Sequence, residues 1–169
     1  MDVETAIRTR RTHKAFGPEP LTREEIEALL ELARWAPNHH LTAPWRFRVI
    51  GPEALGKLKE AAGPEGAAKL DRAPTLIVVS CVLGGEPIQD EEDLHATAVA
   101  SYIVLLAAHG RGLASYWRTP AVLRGEEGLA AVGIPKDERF VALLHLGKKR
   151  QEKEPPPRPP VEQTTLFLR

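Results

Sequence analysis

Apolar positions recur along the chain with two periods, and each period predicts its own kind of element. From Trp45 the side chains alternate, with Trp45, Phe47 and Val49 on one side and Arg46 and Arg48 on the other, the period of a half-buried strand. The run Thr75-Leu76-Ile77-Val78-Val79-Ser80-Cys81-Val82 is apolar on both faces and β-branched, which predicts a central strand covered on both sides. Arg139 to Gly147 predicts a second apolar strand, and Leu113 to Trp117 a short extended segment.

Helical spacing accounts for most of the remainder. Val3 and Ile7 share one face of a short helix that ends at Arg10-Arg11, where the helix dipole favours cations. In Leu21-Thr22-Arg23-Glu24-Glu25-Ile26, Thr22 caps, Glu25 closes a capping box and Leu21 staples against Ile26. This helix runs through Leu29, Leu30 and Leu32 toward Trp35, and Pro37 ends it by disfavouring helical geometry at Ala36. An ordered turn follows from Pro37 to Pro44. Gly51-Pro52 opens a helix containing Leu55 and Leu58, which Gly63-Pro64 breaks before a short helical piece toward Arg72. The polar stretch from Gly84-Gly85 to Asp93 reads as a mobile surface loop. Leu94 to His109 reads as a long helix, apolar almost all round, interleaved with Ala96, Ala98, Ala100 and Ser101 and capped by Gly110. Such a helix lies at a domain centre or in a subunit interface. Thr119-Pro120 opens another helix. Pro155 to Pro160 is extended, and Val161 to Leu168 is apolar enough to dock.

Helices and strands are interspersed without a strict βαβ repeat, and no Gly-x-Gly-x-x-Gly follows a strand. The fold class is therefore α+β, a sheet covered by helices, and not a Rossmann nucleotide fold. A chain of 169 residues, 43% of them hydrophobic, builds one substantial core, so 1–169 is taken as a single domain.

Charge narrows the partners. With 23 basic and 23 acidic residues the formal net charge is zero, and no global field draws the chain to nucleic acid or to a membrane surface. Any anion binding must be local. The single cysteine, Cys81, excludes an intrachain disulfide and a Cys-based zinc site, and its neighbours Val78, Val79 and Val82 make it a buried, inert thiol. Met1-Asp2-Val3-Glu4 lacks the basic start of a signal peptide and no apolar run is long enough to span a bilayer, so a cytoplasmic protein is expected.

The local concentration of cations is Arg10-Arg11-Thr12-His13-Lys14, three fixed positive charges and a hydroxyl just beyond a helix. It suits a phosphate; it also suits a solvated helix cap. Two further stretches stand out, Pro37-Asn38-His39-His40 ahead of Pro44-Trp45, and Gly110-Arg111-Gly112-Leu113 leading to Trp117-Arg118-Thr119. His39 and His40 do not make a metal site, because adjacent residues point apart in an extended turn and no carboxylate lies nearby in sequence. His95, His109 and His145 read as satisfied structural histidines, and Lys148-Lys149-Arg150 as a solvated strand end.

Taken in this order and spacing, the three stretches resemble the nitroreductase family of FMN-dependent oxidoreductases, with the likeness strongest to its small, YdjA-type members. Arg10-Arg11-Thr12-His13-Lys14 matches an Arg-Arg-Ser-x-Arg-like motif, Ala36-Pro37-Asn38-His39 with Pro44-Trp45 matches an Ala-Pro-x-His segment before Pro-Trp, and Gly110 to Thr119 matches a Gly-x-Gly-x-x-Trp-Arg-Ser-like stretch. The resemblance implies an antiparallel or mixed central sheet flanked by helices, in an intertwined homodimer. It implies FMN as cofactor, NADH or NADPH as reductant, and hydride transfer through flavin N5 to an oxidised small molecule such as a nitro compound or a quinone. No side chain is then required as a catalytic residue, and no metal. By the same matching Arg10, Arg11, Thr12 and Lys14 hold the phosphate and ribityl chain, and Asn38, His39, Trp117, Arg118 and Thr119 complete the pocket. Arg158, in a proline-rich extension (151–169) that docks on the partner subunit, matches a phosphate-binding basic residue. Larger relatives carry Asn and Gln where Leu41 and Ala43 stand here. A non-catalytic flavin-binding carrier or regulatory protein would share the same cations. RNA binding is disfavoured by the neutral balance and by the lack of an aromatic-basic repeat.

Overall fold

A computed structural model describes residues 1–168. Its centre is a four-stranded antiparallel sheet in the order β1-β2-β4-β3, where β1 is Trp45–Val49, β2 Thr75–Val82, β3 Leu113–Arg118 and β4 Glu138–Lys148. β2 and β4 are the inner pair, in register at Ile77 with Leu144 and Val78 with Leu143, with a bulge between Val79 and Ser80. Their alternate side chains fill two separate cores, as expected of strands apolar on both faces. Ile77, Val79, Ala142, Leu144 and Leu146 pack under α2 (Arg23–Ala33) and α4 (Pro87–Gly110). Leu76, Val78 and Leu143 pack on the opposite face, with Leu58 and Leu70 of α3 (Pro52–Leu70), Leu123, and the neighbourhood of α5 (Glu126–Ala131). The sheet is thus sandwiched between helical layers, the α+β arrangement read from the sequence.

Local signals explain most element ends. Thr22 and Glu25 form the reciprocal capping box of α2, Glu25 N donating to Thr22 Oγ1 at 3.2 Å and Thr22 N to Glu25 Oε2 at 2.9 Å. The expected break within 52–72 is a kink at Gly63, whose φ of 66° only glycine adopts cheaply. α2 ends at Ala33, earlier than Trp35, because Arg34 through Ala36 already turn.

Two expectations are corrected. Gly84 to Asp93 is mostly not a loop: α4 begins at Pro87, and the turn before it is fixed by Asp90, which accepts from Gly84 N at 2.7 Å and from Gly85 N. Pro87 at the first helical turn was the overlooked signal. His145 is buried but not satisfied. Both its ring nitrogens lack a hydrogen-bond partner, and it sits between Phe16 and Tyr116 with ring centroids 6.5 and 5.7 Å away.

Several apolar side chains find no cover within one chain. Met1, Val3, Ile7, Leu32, Val99 and Tyr102 are exposed along α1 (Val3–Thr9), α2 and α4, as are Leu166 (87%) and Phe167 (94%) in the tail. No helix among the described residues is long and apolar enough to cross a membrane.

Candidate functional site

The cationic stretch is positioned by α1 and by a short extended run after it. Asp2 caps α1, accepting from Thr5 N at 2.9 Å and Thr5 Oγ1 at 2.7 Å, and Ala6 is the helix's one buried residue. Arg10 closes the helix and leaves it in extended conformation. The run beyond is stitched to the sheet: His13 N donates to Ser115 O at 3.0 Å, and Gly17 N to Lys148 O at 2.9 Å. Thr12 and Lys14 therefore face outward on either side of a buried His13.

Arg10, Arg11 and Arg158 meet in one cavity of about 630 Å³, lined also by Ile7, Tyr102 and Pro155 and by Arg8, which is paired with Glu4. The sequence separates these arginines by some 147 positions; the polyproline tail, folding back over α1, brings them together. The Arg10 guanidinium lies 5.9 Å from the Tyr102 ring centroid, at the margin of cation–π distance. No carboxylate lines this cavity, and neither Arg10 nor Arg158 has an ion-pair partner among the described residues. Burial lowers the proton affinity of Arg11, and repulsion from Arg158 and Arg10 lowers it further, with Glu154 acting in the opposite direction. Its Nε is buried without any acceptor. Three guanidinium groups held together with an unanswered donor form a site that wants an anion, and their forked geometry suits a phosphate.

The two adjacent arginines differ in what they hold. Arg11 Nη1 donates to Arg10 O at 2.6 Å and Nη2 to Arg8 O at 3.0 Å, so Arg11 answers the carbonyls at the end of α1. Arg10 makes no side-chain hydrogen bond within the described residues.

Lys14 lines a different cavity of about 800 Å³, with Phe16, Leu55, Arg72, Pro74 and Arg150. Asp71, the one acidic group there, is paired with Lys59. Arg72 carries no local motif, and Arg150 reads in the sequence only as part of a solvated strand end. Thr12 and Lys14 are both exposed, and of the two Lys14 lines this second cavity.

The Pro37–Pro44 turn lies elsewhere. His39 Nδ1 is 2.7 Å from Glu92 Oε2, and Thr42 Oγ1 donates to Asp93 at 2.6 Å, both near the start of α4. Asn38 Oδ1 accepts from Ala43 N at 2.9 Å, which supports left-handed backbone at His40, Leu41 and Ala43 (φ 55°, 53° and 46°). The histidines do not point apart as expected: left-handed His40 stacks its ring on His39 with centroids 3.8 Å apart. Among the described residues no group of three metal-ligating side chains exists. Between Glu92 and Tyr102 the helix advances roughly 15 Å, so within one chain Asn38 and His39 are not part of the arginine cavity.

The end of β3 is also separate. Trp117 packs on the α2–α4 core, Arg118 Nη1 donates to Lys69 O at 3.0 Å at the end of α3, and Thr119 lines a third cavity with Leu83, Leu123 and Phe140.

Comparison with known proteins gives a consistent picture. Residues 7–67, which include the arginine stretch and the Pro-Trp turn, match the Nitroreductase family. The chain is 26% identical over 171 residues to the Bacillus subtilis protein named "Putative NAD(P)H nitroreductase YfhC", covering 92% of this chain and 88% of that protein. It is 28% identical over 161 residues to the Escherichia coli K12 protein named "Putative NAD(P)H nitroreductase YdjA", with 86% of each covered. Its fold superposes with a TM-score of 0.82 on a solved structure from Desulfovibrio desulfuricans described as a putative nitroreductase in complex with FMN. That pair is 26% identical, with 99% of this chain and 96% of the other covered.

Proposed function

Because the chain belongs to the nitroreductase family, we propose that it is an FMN-dependent oxidoreductase that takes hydride from NADH or NADPH and passes it to an oxidised small molecule of the nitro or quinone type. The observation that carries this reading is the arginine cavity: Arg10, Arg11 and Arg158 line one cavity whose lining holds no carboxylate, and Arg11 Nε is buried without an acceptor. A terminal phosphate supplies both the charge and the acceptor. One terminal phosphate answers the clustered guanidinium groups, and no dinucleotide fingerprint is present, so the flavin is FMN and not FAD.

The chain's own residues then have defined tasks. Arg10 and Arg158 grip the phosphate, and Arg11 holds the end of α1 while offering Nε. Thr12 presents a hydroxyl to the ribityl chain. Lys14 and Arg72, which line one cavity, would offer positive charge to a bound flavin and so favour its reduced, negatively charged form. FMN, when bound, supplies the hydride-accepting and hydride-donating chemistry, and no side chain here need act as acid or base.

Asn38 and His39 are supplied by a second copy. A homodimer covers Met1, Val3 and Leu32, which with Ile103, Leu106 and Ala107 line an apolar groove of about 380 Å³, and covers exposed Val99 as well. It also allows the strained Asn38–Ala43 turn of one copy to approach the arginine cavity of the other.

Purified protein tests the reading directly. Released cofactor identified as FMN by mass spectrometry, and yellow colour bleached anaerobically by NADH or NADPH, are the expected results. FAD, no flavin after reconstitution, or a bound flavin that neither nicotinamide reduces would overturn it.

A further inference from the structure

We propose that His109, at the end of α4, is a positioning residue for Arg10, acting through a hydrogen bond to Thr9; this rests on the arginine cavity being the FMN phosphate site. The geometry fixes the direction of the bond. Thr9 Oγ1 lies 2.6 Å from Thr5 O and 2.8 Å from His109 Nε2. A hydroxyl has one hydrogen, and the carbonyl of Thr5 can only accept it. Thr9 Oγ1 is therefore the acceptor toward the imidazole, and His109 donates from Nε2–H.

That bond sits at a useful place. α1 has seven residues and one buried side chain, so packing holds it weakly. Its last residue, Thr9, precedes Arg10, and the Thr9–His109 bond ties that residue to the 24-residue α4, which is anchored across the sheet. Tyr102, which lies beneath the Arg10 guanidinium, belongs to the same helix. α4 thus fixes both the backbone just before Arg10 and the ring under its side chain. Sequence reading treats His109 as a helix-end structural residue; what it secures is the aim of a ligand-binding arginine.

The bond also tolerates its surroundings. His109 is faced by Arg10 and Arg11 from the α1 side, by Lys149 and Glu152 from the segment after β4, and by His13 from the extended run. Burial and the nearby cations Lys149, Arg10 and Arg11 oppose a positive charge on the ring, so the neutral form carrying hydrogen on Nε2 is the one present at neutral pH. A neutral donor orients Thr9 without competing with Arg10 for the phosphate.

The full-length protein is titrated with FMN and, in parallel, with riboflavin, which lacks the phosphate, following the quenching of flavin fluorescence. His109→Leu and Thr9→Val should each weaken FMN binding roughly tenfold, as for one lost positioning hydrogen bond, and the double variant should lose little more than either alone. Riboflavin affinity should stay within about twofold of wild type, because only the phosphate end is disturbed. His109→Gln, whose amide nitrogen can occupy the place of Nε2, should restore most of the FMN affinity. The inference is overturned if both single variants bind FMN like wild type, if the losses add fully, if Gln is as poor as Leu, or if riboflavin affinity falls in parallel. A wild-type protein that binds riboflavin as tightly as FMN overturns the phosphate reading itself, and the role of His109 with it.

Discussion

Arg11 donates its Nη1–H to the main-chain oxygen of Arg10 at 2.6 Å, so one arginine of the adjacent pair braces the backbone of the other. With its second bond to Arg8 O, Arg11 closes a helix end, while the Arg10 guanidinium stays free over Tyr102. Two residues of one type and one position apart thus separate into support and contact.

Substitution should expose that difference. Arg10→Ala is predicted to weaken FMN binding roughly tenfold to a hundredfold, the worth of a charge-assisted contact of about 1.5–3 kcal/mol, with Tm nearly unchanged. Arg11→Ala should weaken FMN and also lower Tm, because two carbonyls at the end of α1 lose their donor. Flavin titration beside thermal melts checks both. Unaltered FMN affinity in Arg10→Ala would move the phosphate away from this cavity.

Arg48 and Glu138 form the tightest ion pair inside the sheet. Arg48 donates from Nη1 at 2.7 Å and from Nη2 at 2.9 Å to the two oxygens of Glu138, and Ser80 Oγ donates to the same carboxylate at 2.5 Å. The guanidinium, and then the Ser80 hydroxyl, hold this carboxyl below the usual glutamate range against the cost of burial. Arg48→Ala leaves a largely buried carboxylate unpaired and should cost about 3 kcal/mol. Adding Glu138→Gln should recover part of that loss, and a double-mutant cycle by urea unfolding measures the coupling.

His145 gives a prediction about acid. It is fully buried between β2, β3 and Phe16, and burial, with smaller repulsion from Arg118 and Arg72, pushes its pKa down to about 3. The unfolded chain titrates near 6.5, so below that pH the unfolded state binds a proton that the native state refuses. Stability should therefore fall as pH drops from about 6.5 toward 3, by about 1.4 kcal/mol per pH unit once well below 6.5. His145→Phe or His145→Leu should flatten this part of the profile. Denaturant melts of wild type and variant between pH 7 and pH 4 give the comparison, and parallel profiles would show that His145 does not titrate on unfolding.

The histidine illustrates what spacing in a sequence conveys and what it leaves out. Along β4 its place in an apolar run announces burial, and the run itself gives the strand almost residue for residue. The lack of a partner is set by Phe16 and Tyr116, which arrive from other elements. The same division holds at the candidate site. Thr22 and Glu25 declare their helix locally, and Arg10, Arg11 and Thr12 declare a basic stretch, because caps and charge runs are short-range features. That Arg158 joins Arg10, that Lys14 turns to Arg72 and Arg150, and that Asn38 and His39 dock at the far end of α4 all depend on long-range folding. The stacked histidines were missed for a local reason: left-handed backbone at His40 reverses the usual divergence of neighbours, and no glycine marked the spot.

The tail provides the last prediction. From Pro155 to Pro160 the chain is stiff and extended, and Pro155 and Pro156 wall the arginine cavity before Arg158 enters it. Leu166, Phe167 and Leu168 then end almost fully exposed, together with apolar side chains on α1, α2 and α4 that one chain leaves bare. Apolar surface of this extent is costly in water, and a second copy of the chain, offering the same bare helices, is the cover expected for both surfaces. Truncation after Gln151 removes the tail's apolar end and Arg158 together. It should weaken self-association and loosen FMN roughly tenfold or more, whereas Arg158→Ala in the full-length chain should loosen FMN and leave association intact. Light scattering at micromolar concentration, run beside flavin titrations of the three proteins, separates the two effects. A wild-type chain that stays monomeric there would remove the two-copy site, and a truncated chain that keeps full FMN affinity would remove Arg158 from it.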